Sequence, residues 1–167
     1  KAIGKLGIQD LAPQVYTKLK TDPSQEVKVE ALHALVAMDA PNLSEAISFA
    51  MRDVSEQVRV AGLGLISQTS LPNDQKVPLL MEILTKRTLA EKQKALLTLG
   101  SLPGSKESPV WNSILADFSS GKLPAGTWVE LEEAIMATGD SKLKSTYDKL
   151  LTEKSGGEPW RAYAGAL

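Results

Sequence analysis

The 167 residues contain no cysteine, a single histidine, and only 5% aromatic side chains. The absence of cysteine excludes disulfides, thiolate nucleophiles, zinc–cysteine centres and thioether-linked haem, and it leaves the redox compartment open. One histidine lacks the companions that zinc or iron would need. Neither charge sign is in excess: 19 basic and 20 acidic residues give a formal net charge of −1. That balance argues against a dedicated nucleic-acid binder, which usually carries a basic face. No apolar run approaches the ~20 residues of a membrane span. No cofactor, metal, nucleic acid or membrane is therefore expected. The first residue, Lys1, is followed by no signal-like apolar stretch, so the chain reads as an excised or processed piece. With 43% hydrophobic residues, a chain of this size buries roughly 70% of its unfolded surface and can form one self-sufficient core.

What is abundant is helical periodicity, and it repeats. EVKVEALHALVAM (26–38), QVRVAGLGLISQT (57–69) and EKQKALLTLGSLP (91–103) align on Leu32, Leu63 and Leu96, with steps of 31 and 33 residues. A fourth copy, ELEEAIMATGD (130–140), places Ile135 in the same register after a step of 39, the extra length lying in SSGKLPAG. Apolar residues recur at helical spacing in each copy, as in Val27, Ala31, Leu32, Leu35 and Met38. Shorter amphipathic stretches lie between the copies: Leu11, Val15 and Leu19; Leu43, Ile47 and Met51; Val77, Leu80, Met81 and Leu84; Trp111, Ile114, Leu115 and Phe118. Each copy is thus expected to be a pair of helices, the second more apolar. Asp22-Pro23 reads as an N-cap followed by proline at the first helical position. Asn42, Asp53 and Thr88, each three residues before a glutamate, have capping-box spacing. Pro41, Pro72 and Pro103 stop the apolar helices, and Gly139-Asp140 joins a C′ glycine to the N-cap of a last helix. About nine helices are expected, with a short tenth in the tail.

A helical pair cannot bury its apolar faces alone, so neighbouring pairs must stack. The expected fold is all-α: a right-handed α-solenoid of four helix pairs at about 8–40, 41–71, 72–103 and 104–139, a closing helix at 140–153, and a tail or linker at 155–167.

TDPSQEVKVEALHAL and RDVSEQVRVAGLGLI resemble the turn and second helix of HEAT repeats. That family carries an Asp in the turn and a Lys or Arg six residues later, as Asp22 with Lys28 and Asp53 with Arg59 stand here. The third copy has Lys86 and Lys92 at those places, and the fourth has Leu131 in place of the cation. The resemblance implies that such residues bond across neighbouring turns and set the rotation from pair to pair. A narrower similarity, to the middle segments of large bacterial extracytoplasmic proteins, rests on the divergent repeats and on Ser155-Gly-Gly-Glu-Pro159. In those proteins a sugar-dehydrogenase-like propeller precedes the repeats and a c-type cytochrome follows. The resemblance implies a spacer or docking role and a periplasmic or extracytoplasmic location.

No residue set reads as catalytic. His33 has Glu30 three residues before it and reads as half of a surface pair. Gly62-Leu-Gly64 lies inside an apolar helix, so it suits close helix packing and not a phosphate loop. Glu130, Glu132 and Glu133 complement a helix N-terminus. Trp111 and Trp128 fall at core positions; Trp160 and Tyr163 are expected to dock on the last repeat. The lysines of the last helix alternate with Asp140, Asp148 and Glu153, as on a solvated face. The expected function is non-enzymatic: a monomeric scaffold or spacer that binds protein through its second helices. Lys28, His33, Arg59, Lys92 and Glu133 are the candidate partner contacts, and Asp22, Lys28, Asp53 and Arg59 the structural ladder. The alternative is a HEAT-like glycosylase or lyase, which would need a cationic groove beside a carboxylate and has only Trp128 near Glu132 to offer.

Overall fold

A computed structural model of the chain describes residues 9–105 and 109–156. Every regular element among them is helical. We number the nine α-helices in order: α1 Ala12–Thr21, α2 Gln25–Ala37, α3 Leu43–Ala50, α4 Glu56–Leu65, α5 Asn73–Lys86, α6 Leu89–Ser101, α7 Val110–Ser119, α8 Trp128–Thr138 and α9 Ser141–Lys154. Trp160 and Tyr163 lie outside the described residues. The chain divides into two compact units, Lys1–Pro72 and Asn73–Leu167.

In the first unit α1 pairs with α2 and α3 with α4, and the pairs meet like on like: α2 lies against α4, and α1 against α3. Leu19, Leu32, Leu35, Ile47 and Val58 form the core, each at most 1% exposed. Gly62 faces α3, where an added Cβ would lie 3.1 Å from the Ala50 Cβ. The small side chains expected around Gly62 do let helices approach. Val27 departs from its expected core position and is 40% exposed, whereas Val58, at the same place in α4, is fully buried. Val58 belongs to the core cluster that includes Ala31, Leu32 and Leu35 of α2, and Val27 does not.

In the second unit α5 pairs with α6, and α6 lies against α8. Leu89 and Gln93 meet Gly126 at one end of this seam, and Gly100 meets Ala134 at the other, so α6 and α8 run parallel. A Cβ on Gly100 would stand 2.5–2.9 Å from the carbonyl O, Cα and carbonyl C of Ala134, so the two backbones touch. The helix α9 packs on α7 and α8. Phe118, Ile114, Ile135 and Tyr147 complete this core, all at most 1% exposed. Phe118 sits edge-on to Trp128 and tilted to Tyr147, with ring centroids 5.2 Å apart in both contacts.

The second helices start in one register. Ser24, Ser55, Thr88 and Thr127 occupy the N-cap positions of α2, α4, α6 and α8. Each stands eight residues before Leu32, Leu63, Leu96 or Ile135. Two expected caps are thereby displaced by two residues. Asp22 and Asp53 are not caps; their carboxylates accept the Ser24 and Ser55 amides at 3.0 and 2.8 Å and shape the turn before the helix. Asp and Ser both suit caps; beside its Asx turn Ser24 accepts the Val27 amide as the cap, whereas Ser55 makes no cap bond and donates its hydroxyl to Gln25. Asn42 precedes α3 without a side-chain cap bond. Thr88 and Glu91 do form a reciprocal capping box. Gly139 ends α8 in the left-handed region (φ 68°), and Asp140 caps α9 through the Lys142 and Leu143 amides.

Two outcomes check this packing in urea unfolding. Gly100→Ala normally gains about 1 kcal/mol of helix propensity; here the clash with the Ala134 backbone should reverse the sign, to a loss of about 1–3 kcal/mol. A stabilised variant would contradict the seam. Thr88→Ala should cost about 1 kcal/mol through loss of the cap, and an unchanged midpoint would contradict the box.

Candidate functional site

The surface that sequence reasoning singles out is the exposed side of the second helices, and the structure sorts its residues into two kinds. Lys28 and Arg59 are structural. Lys28 extends from α2 to the turn before α4, where its Nζ donates to Asp53 Oδ2 at 2.7 Å. The side chains are only 15% and 4% exposed. Arg59 folds back on its own turn and donates through Nη1 to the carbonyls of Asp53 and Val54 at 2.9 and 3.0 Å. The Gln25 side chain accepts from Ser55 Oγ at 2.8 Å beside it. Two helix pairs are thus pinned at adjoining turns by one charged and one neutral contact. Asp22 makes no such cross-turn bond with Lys28; its carboxylate lies 3.4 Å from Lys18 Nζ, one helical turn earlier. The sixfold spacing of Asp and cation therefore marks the residues involved without giving their partners.

Burial pushes the Asp53 carboxyl up. The Lys28 hydrogen bond, the Ser55 amide and the charges of Lys28 and Arg59 outweigh it and hold the group below its ordinary range.

The second kind is exposed. His33 Nδ1 stands 4.0 Å from Glu30 Oε1, with side chains 51% and 47% exposed. The facing surface is therefore open to solvent on α2. Gln57 on α4 and Glu133 on α8 are also exposed, whereas Lys92 on α6 is half-buried. His33 and Lys28 belong to the first unit and Lys92 and Glu133 to the second. Within the first unit Glu30, His33 and Gln57 give an exposed polar surface. Within the second, Val129, Glu133 and Met136 share one side of α8, with Val129 46% and Met136 62% exposed.

The acidic run of α8 splits three ways. Glu132 pairs with Lys144 of α9 at 3.5 Å, Glu133 is exposed, and one oxygen of Glu130 is buried with no hydrogen-bond partner. Trp111 is 2% exposed and donates from Nε1 to the Ser105 carbonyl at 2.8 Å. Trp128 is only half-buried, and its Nε1 is a buried donor without an acceptor. The last helix has the solvated face that its alternating charges suggest, with Lys142, Asp148, Lys149 and Glu153 exposed. Lys144 bonds Asp148 as well as Glu132; the Asp148 hydrogen bond is the chief reason its pKa is raised. Lys154 donates to the Ser119 carbonyl at 3.1 Å, at the C-terminal end of α7, and lies over the Phe118 and Trp128 rings at 5.7 and 5.8 Å. The contacts of Lys144 with Glu132 and of Lys154 with Ser119 join different helices, which periodicity within one helix does not reveal.

Among the described residues no three His, Asp or Glu side chains converge to hold a metal ion. No helix there is long and apolar enough to cross a membrane. No protein-family model, curated protein or solved structure matches the chain.

The Lys28–Asp53 contact has a definite pH signature. Because the folded carboxyl titrates lower than an unfolded one near 3.9, the contact contributes fully above that value and is lost as pH falls through the folded value. Asp53→Asn should cost about 1–3 kcal/mol at pH 7, the range for a hydrogen bond to a charged group. The gap between the two proteins, followed by urea unfolding, should narrow below about pH 4. A gap that stays constant into acid would contradict the assignment.

Proposed function

We propose that the chain is a non-catalytic HEAT-like α-solenoid module: four helix pairs closed by α9, serving as a scaffold or spacer that binds protein through its second helices. The observation that carries the reading is the common start of those helices. Ser24, Ser55, Thr88 and Thr127 all stand eight residues before the aligned Leu or Ile, and the Ser24 and Thr88 hydroxyls cap their helices. One register repeated four times, with second helices in contact inside each unit, suits pairs that stack by translation. Such stacking leaves one row of second helices to face a partner. The closing helix α9 presents Ser141, Ser145, Asp148, Lys149 and Thr152 on its outer side, the polar surface that a terminal element of a stack needs.

The partner surface is narrower than spacing alone suggests. Lys28 and Arg59 hold the turn, so reversing their charge would weaken the fold along with any interface. Glu30, His33 and Gln57 are exposed and free of that role. A polar row of mixed charge suits a polar protein surface, with rim charges acting mostly on the rate and specificity of encounter.

The test is a triple variant, Glu30→Lys, His33→Glu and Gln57→Lys, compared with the unaltered chain as bait in its native cells. Exposed substitutions change stability by about 0.5 kcal/mol or less, which for a chain of this length leaves the melting temperature within about 2 °C. The variant should keep that temperature and recover proteins bound by the unaltered chain at least tenfold less well. Equal recovery of every partner would overturn the assignment of this surface.

A further inference from the structure

We draw no further inference here: the strongest candidate, the exposed side of α8 formed by Val129, Glu133 and Met136, is an apolar surface interrupted by a carboxylate, and nothing in the structure shows what covers it.

Discussion

The packing of the second unit depends on a backbone-to-backbone contact. At Gly100 even a methyl group would overlap the main chain of Ala134, so α6 and α8 approach as closely as helices can. Interiors are packed at crystal-like density, and such a seam has no slack to absorb added volume. The small-residue requirement recurs one position before each aligned apolar residue, at Ala31, Gly62, Ala95 and Ala134. At Gly62 the neighbour is the Ala50 side chain. With so few aromatic residues, stability in these units rests on many aliphatic side chains held close by small ones. Dispersion contacts are individually weak and collectively large only when the atoms actually touch.

Polar contacts then fix the turns. One buried ion pair, Lys28 with Asp53, joins consecutive helix pairs in the first unit. In the second, Gln93 donates to the Gly126 carbonyl at 2.7 Å, a neutral bond from α6 to the turn before α8. A buried ion pair is weak evidence for stability, because its desolvation offsets much of its attraction. Its geometric demand is what matters: a 2.7 Å charged contact fixes the offset of one turn against the next. Lys154 plays a related part at the other end of the chain, placing a cation where α7 exposes its last carbonyls.

Much of this was legible in the sequence, and the limits have physical causes. The helices, the pairing of α1 with α2, α3 with α4 and α5 with α6, and the stops near Pro41, Pro72 and Pro103 followed from 3.6-residue periodicity and turn chemistry, both local properties. The expected caps at Asp22 and Asp53 shape their turns instead; Ser24 takes the cap in the first, and Ser55 makes no cap bond in the second. Val27 carried the apolar signal of a core residue yet is exposed, because periodicity gives the face and not whether a neighbour covers it. Lys28 and Asp53 were marked by spacing as ladder residues, whereas the bonds of Lys144 to Glu132 and Lys154 to Ser119 join different helices and leave no mark in spacing. Surface function was the least legible of all. Two of the five candidate contacts, Lys28 and Arg59, proved to be committed to the turn.

The central claim is that consecutive second helices in a unit are bound into one cooperative element by their shared seam. Native-state hydrogen exchange on α6 and α8 addresses it directly, because contiguous elements that open together share one opening free energy. The account predicts that the slowest amides of both helices exchange with the same free energy and fall together when the seam is perturbed. Independent opening of α8, with α6 still protected, would contradict it.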